Sequence, residues 1–159
     1  MNDAARQIVD LYKHPLNFGK MNKADIVKIG VNLSCGDQVS IYVKLEDRSL
    51  KFRPQGDPPL AEGERSKEQG KTDPYSFLPA SSSLIQKITF EGTGCSVSIA
   101  SASLLTEKLK GKTLDEVLKW TTEDVVKMLG IELGPSRVKC ALLPLDTIQQ
   151  GIKELKTQK

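Results

Sequence analysis

Apolar side chains recur along this chain in two periods, and each change of period marks an element. From Ala4 to Lys13 the positions Ala4, Ala5, Ile8, Val9, Leu11 and Tyr12 return at helical spacing, and His14-Pro15 stops the pattern because a residue before proline avoids the α region. Leu16-Asn17-Phe18-Gly19-Lys20 is a turn, and 24–32 reads as a first strand. Beyond Ser34-Cys35-Gly36-Asp37, a tight polar turn, Val39, Ile41, Val43 and Leu45 alternate with Ser40, Tyr42 and Lys44, the period of a half-buried strand. Ile85, Ile88 and Phe90 then predict a returning strand over 84–90.

The second half of the chain is helical in period. One helix is predicted from about Ser96 to Lys110, with Val97, Ala100, Leu104 and Leu105 as its buried stripe and Gly111 beyond its end. Thr113 and Glu116 have the spacing of a capping box and open a short helix that turns Leu114, Val117 and Leu118 inward. A further helix begins near Thr122 and carries Val125, Val126, Met128 and Leu129 to Gly130, with Trp120 packed between these pieces. Residues 133–140 form a connection into a last helix reaching about Leu155 through Leu143, Leu145, Ile148 and Ile152; Pro144 leaves its start open, because proline is comfortable only in a first turn.

The segment 46–83 breaks both periods. It holds five of the eight prolines, scattered charge and Ser81-Ser82-Ser83, so it cannot bury enough apolar surface to order itself as a core element. It is expected to be a long flexible insertion within a hairpin, in which Tyr75, Phe77 and Leu78 are able to dock locally.

A length of 159 residues predicts a single domain, 1–159, with a core that needs no disulfide staples. The net charge of +3 is slight and aromatic residues make up 5%, which argues against a nucleic-acid surface. No apolar run approaches the roughly 18 residues of a membrane span, and Met1-Asn2-Asp3-Ala4-Ala5-Arg6 lacks the apolar core of a signal peptide. A soluble, cytoplasmic protein without membrane contact is therefore expected. In a reducing compartment, three cysteines serve metal binding, catalysis or packing rather than a disulfide framework.

These cysteines share a local grammar. Gly92-Thr93-Gly94-Cys95 places a thiol where a glycine-rich turn becomes a helix, and unpaired N–H groups at a helix N-terminus favour the thiolate. Cys140 is predicted at or just before a helix start, with Arg137 and Lys139 nearby, which favours its thiolate too. Cys35 lies on a loop at the mouth of a strand, two residues from Asp37. If these loops converge, three thiolates and one carboxylate form a ligand set suited to iron–sulfur or zinc chemistry. A hard carboxylate among soft thiolates holds a cluster less firmly than four thiolates do, which suits a cluster that must later leave. His14, the only histidine, is expected to be a solvated or capping residue.

Asn17-Phe18-Gly19, Ser34-Cys35-Gly36-Asp37, Phe90-Glu91-Gly92-Thr93-Gly94-Cys95, 98–103, Lys110-Gly111-Lys112 and Lys139-Cys140-Ala141 resemble, in order and context, the NifU-like N-terminal family, that of the IscU and SufU iron–sulfur assembly proteins. The resemblance covers nearly the whole chain apart from the insertion. It implies an α+β fold in which a small three-stranded antiparallel sheet packs against several helices. It further implies a scaffold and carrier rather than an enzyme, which receives sulfur from a cysteine desulfurase, assembles a transient [2Fe–2S] cluster and passes it to apoproteins. By matching position, Cys35, Asp37, Cys95 and Cys140 would be the cluster or metal ligands, with Asp37 tuning lability. Cys140 would accept the persulfide, with Cys35 the alternative. The chain also departs from the family: Lys139 stands where IscU-type members usually carry histidine, which shifts weight onto Asp37. Arg137 matches SufU-type members, which look zinc-loaded and relay sulfur, although their insertion between the second and third cysteines is absent here. The alternative reading is thus a zinc-bound sulfur-transfer protein. Leu133-Gly134-Pro135-Ser136-Arg137 replaces the chaperone-binding Leu-Pro-Pro-Val-Lys of bacterial IscU, so no dedicated Hsp70 chaperone is expected.

Overall fold

The computed structural model describes residues 2–46 and 83–158. Eight elements follow in order: α1 (Asp3–Lys13), β1 (Ile26–Asn32), β2 (Asp37–Glu46), β3 (Leu84–Thr93), α2 (Ser96–Leu109), α3 (Leu114–Leu118), α4 (Thr122–Leu129) and α5 (Pro135–Thr157). The strands form one antiparallel sheet in the order β1-β2-β3. It is the α+β arrangement expected from the sequence.

The alternation in β2 does what its period dictates. Val39, Ile41 and Val43 are buried on the face that carries the core, together with Ile88 and Phe90 of β3. Tyr42, on the opposite face, is buried as well, flanked in register by Val27 and Thr89; its hydroxyl donates to Glu91 at 3.1 Å, and burial, helped by that carboxylate, raises the phenol's pKa. The Asn17-Phe18-Gly19 turn is pinned to β3 by Gly19 N–H donating to Phe90 O and Phe90 N–H to Asn17 O, and to α2 by the Asn17 amide donating to Thr106 and Glu107. The Phe18 ring meets Phe90 edge to face, 5.3 Å between centroids.

Two helices cover the core face, α2 against β3 and α5 against β1 and β2, and α1, α3 and α4 pack around them. The stripe predicted for α2 is too narrow. Ser98, Ile99, Ser101, Ala102, Ser103, Thr106 and Leu109 are buried in addition to Val97, Ala100 and Leu105, while Leu104 is half-buried. Small side chains let neighbouring backbones approach this helix from several sides, and the Ser101 hydroxyl finds its acceptor in Ala141 O of α5 at 2.6 Å. The Thr113–Glu116 capping box forms as expected, and its backbone hydrogen bond from Thr113 is the main reason that Glu116 titrates below its usual range. His14 caps the end of α1 and is exposed, as expected.

The largest departure from the sequence reading is in α5. The helix starts at Pro135, in the first position that tolerates proline, so Pro144 lies in its interior and the residues predicted as a connection are its opening turns. Most of the insertion at 46–83, including Tyr75, Phe77 and Leu78, lies outside the described residues. Among the described residues no helix is long and apolar enough to cross a membrane.

Helix α5 lies along β1 at close range because two glycines remove the side chains that would intervene. A Cβ on Gly30 would fall 1.9 Å from Thr147 Oγ1, and one on Gly151 would fall 2.8 Å from Ile26 Cγ2. Gly30→Ala is therefore expected to cost about 1–3 kcal/mol, read as a lowered urea midpoint. Adding Thr147→Ala should restore part of that loss, since it removes the atom in closest conflict; no recovery in the double variant would show that the Thr147 contact is not the source of the loss.

Candidate metal centre

Each candidate ligand is delivered by a different part of the fold. Asn32 ends β1 and Asp37 opens β2, and the two are paired in register, so the turn between them carries Cys35 outward. Cys35 N–H and Gly36 N–H both donate to Asn32 O, at 3.3 and 2.8 Å. The end of β3 leads through Gly94 to Cys95, the N-cap of α2, whose sulfur accepts from Ser98 N–H at 3.4 Å. Cys140 comes from the second turn of α5.

The turn, the strand end and the helix meet. The sulfurs of Cys35 and Cys140 are 3.3 Å apart, and the ligand atoms of Cys35, Asp37 and Cys140 all lie within 4.8 Å of one another. Cys95 stands beside this tightest group rather than in it: its N–H donates to Asp37 Oδ1 at 3.3 Å, and it lines the same cavity of about 480 Å³ as Cys35 and Cys140. Arg137 and Lys139 are exposed on that cavity's wall.

The burial of these groups is uneven. Cys35 is exposed, Cys95 half-buried and Cys140 buried. Asp37 is only 4% exposed, and its Oδ2 has no hydrogen-bond partner. An unpaired buried carboxylate oxygen costs more than the roughly 1–3 kcal/mol of a neutral orphan, so a cation is the natural occupant of the space before it. Gly94 makes that arrangement possible, because a Cβ there would lie 3.0 Å from the Asp37 carboxyl carbon. A soft set of three thiols with one carboxylate suits iron–sulfur or zinc ligation.

The thiolate expected for Cys140 is not what the metal-free geometry favours. Because α5 begins at Pro135, Cys140 lies beyond the first turn, where the helix dipole no longer helps. Burial pushes its thiol well above the usual range, and contacts with Cys35 and Asp37 and the proximity of Cys95 push the same way. Arg137 and Lys139 do not offset this. The proton of Cys140 must leave when a metal arrives.

Sequence reasoning missed Asn32, which it treated only as the end of a strand. Its side-chain oxygen accepts from Ser34 N–H at 3.0 Å and its amide nitrogen faces Cys140 Sγ at 3.8 Å. The signal that could have found it is an Asn followed two residues later by a turn donor, the pattern of an Asx-turn.

The chain matches the family model described as "NifU-like N terminal domain" over residues 3–56 and 77–159. It is 29% identical over 146 residues to "Iron-sulfur cluster assembly scaffold protein IscU 1" of Archaeoglobus fulgidus, covering 92% of this chain and 72% of that one. It is 26% identical over 162 residues to "Zinc-dependent sulfurtransferase SufU" of Bacillus subtilis, covering 91% of this chain and 86% of the relative. In fold it is similar to the crystal structure of a putative iron–sulfur cluster assembly scaffold protein for the SUF system from Fervidobacterium islandicum, with a TM-score of 0.61, 24% identity and 96% of each chain covered. With the family model matching most of its length, this chain belongs to the NifU-like N-terminal domain family.

Proposed function

We propose that this protein is an iron–sulfur cluster assembly scaffold. It receives sulfur from a cysteine desulfurase, builds a labile [2Fe–2S] cluster on Cys35, Asp37, Cys95 and Cys140, and passes it to apoproteins, as a carrier and not as an enzyme in its own right. The observation that carries this reading is the convergence of three thiols on one open cavity, with a buried carboxylate that has an unpartnered oxygen within 4.8 Å of two of them. The described sheet and helices work as one domain in this reading, in a cytoplasmic setting whose reducing conditions keep the thiols free.

Exposure supports Cys35 as the thiol that sulfur reaches first, and its 3.3 Å contact with Cys140 supports a handover. In that step the Cys140 sulfur attacks the outer sulfur of a Cys35 persulfide while its proton passes to the departing Cys35 sulfur 3.3 Å away, so that a Cys140 persulfide forms and Cys35 leaves as a thiol. Cys140 thus remains the acceptor that holds the sulfur, with Cys35 passing it inward.

A second reading, a zinc-bound sulfur-transfer protein, is favoured by the compactness of the Cys35–Asp37–Cys140 group, which fits the tetrahedron around a single ion. The similarity to the Bacillus subtilis relative supports it as well.

Metal and acid-labile sulfide analysis with an absorption spectrum, on anaerobically purified and then reconstituted protein, separates the two. Iron and sulfide in equal amounts with visible charge-transfer bands are expected; one zinc per chain, no sulfide and resistance to reconstitution would replace the scaffold with the relay. Asp37→Ala should slow release of the cluster to an apoprotein, since the remaining ligands are soft thiolates; unchanged transfer kinetics would remove that role.

Two outcomes are expected for the metal-free protein. Alkylation followed by peptide mass spectrometry should label Cys35 fastest and Cys140 slowest. The fold also holds the Cys140 proton more tightly than the unfolded chain does, whose thiols titrate near pH 8.5. This contribution is complete below roughly pH 8.5 and is lost as the pH rises above it, so the urea midpoint should fall in alkali, and Cys140→Ala should flatten that slope.

A further inference from the structure

The turn that presents Cys35 hangs from a residue that also reaches across to Cys140. Asn32 uses its backbone oxygen to accept from Cys35 and Gly36, and its side-chain oxygen to accept from Ser34 N–H at 3.0 Å. That last bond fixes which way the amide faces. With Oδ1 committed to Ser34, the NH₂ group points to Cys140 Sγ, 3.8 Å away and 108 residues along the chain. The donor, moreover, sits on a strand end locked in register with Asp37, so its position is set by the sheet and not by a free side chain.

In the metal-free protein the Cys140 thiol is itself placed to donate, to Ser136 O at 3.7 Å. Ligation removes that proton, and the sulfur becomes a pure acceptor carrying negative charge. The Ser136 carbonyl is then a repulsive neighbour. The Asn32 amide, in contrast, becomes a better partner, because a hydrogen bond to an ionised acceptor is roughly twice as strong as a neutral one.

On the reading of this cavity as a thiolate metal centre, we propose that Asn32 is a positioning residue for that centre: its amide donates to the Cys140 thiolate, holds the sulfur toward Cys35 and Asp37, and draws electron density from the sulfur–metal bond. Groups of this kind, one bond removed from the metal, are worth 10–100-fold in affinity where they have been removed. Asn32 therefore couples two jobs, since the same side chain shapes the loop of one ligand and polarises another.

The two jobs are separable by substitution. Asn32→Asp keeps an oxygen for Ser34 N–H and so keeps the turn, but it replaces the donor with a carboxylate. Asn32→Ala removes both. Cobalt(II) is the probe, because sulfur-to-cobalt charge-transfer bands report each thiolate directly, and zinc displacement of cobalt gives the affinity without any assay of cluster transfer. Both variants are expected to keep the wild-type circular dichroism. Both should bind cobalt about tenfold or more weakly, with charge-transfer bands moved to lower energy, since a sulfur without its hydrogen bond gives up electrons more easily.

An Asp variant that matches wild type in affinity and band position, with only the Ala variant impaired, would show that Asn32 merely shapes the turn and would overturn the proposal. An Asp variant that binds more tightly would also overturn it, by showing that position 32 serves better as a ligand than as a donor. Absence of sulfur-to-cobalt bands in the wild-type protein would overturn the thiolate-centre reading itself, and the proposal with it, so the two failures are distinguishable.

Discussion

The seam between β1 and α5 is the constraint from which the site follows. Gly151 lies against Ile26, Gly30 against Thr147, and Asn32 faces Cys140, so three successive contacts run the helix back along the strand. The Lys28–Glu154 ion pair closes the outer end of this seam. Side chains at Gly30 or Gly151 would lift the helix away, and Cys140 with it. A ligand-forming turn at one end of a sheet is useful only if the third thiol arrives there, and the close approach of helix to strand is what brings it. The Ser101–Ala141 hydrogen bond performs the matching service on the other side, tying α5 to the helix that Cys95 caps.

The electrostatics around Cys35, Asp37 and Cys140 favour the cation that the proposed function requires. The protein buries a carboxylate with one oxygen unpartnered and holds a thiol against ionisation, next to a second thiol at contact distance. Left empty, this is a local cost in a fold whose total stability is of the order of 5–15 kcal/mol. A bound metal converts the like-charge problem into ligation, because thiolates and carboxylate then share one centre of positive charge. The cavity is open beside Cys35, which is exposed, so under the proposed function a cluster would be built and removed there without unfolding the protein. A closed structural site would have had four buried ligands.

Much of this was legible in the sequence. The alternation of Val39, Ile41 and Val43, the capping pair Thr113 and Glu116, and the glycine-rich turn before Cys95 each rest on local rules, and each appears as read. What could not be read depends on contacts between distant segments. Cys140 looked like a helix-start thiol because Pro144 resembled a first-turn proline; in fact Pro135 opens the helix, and Pro144 is tolerated inside it at the expense of the donor to the Cys140 carbonyl. The burial of α2 on several sides comes from what packs around its serines and alanines, which a single-stripe period cannot express. Asn32 gains its meaning only from a sulfur that lies 108 residues away.

The central claim is that three thiolates and one carboxylate from these separate elements surround the same metal. X-ray absorption at the metal edge, on protein loaded and handled without oxygen, tests it most directly. The account predicts a first shell dominated by sulfur with one light scatterer, and loss of that light scatterer in Asp37→Ala. A first shell made only of oxygen and nitrogen, or one unchanged when Cys35 or Cys140 is replaced by serine, would contradict it.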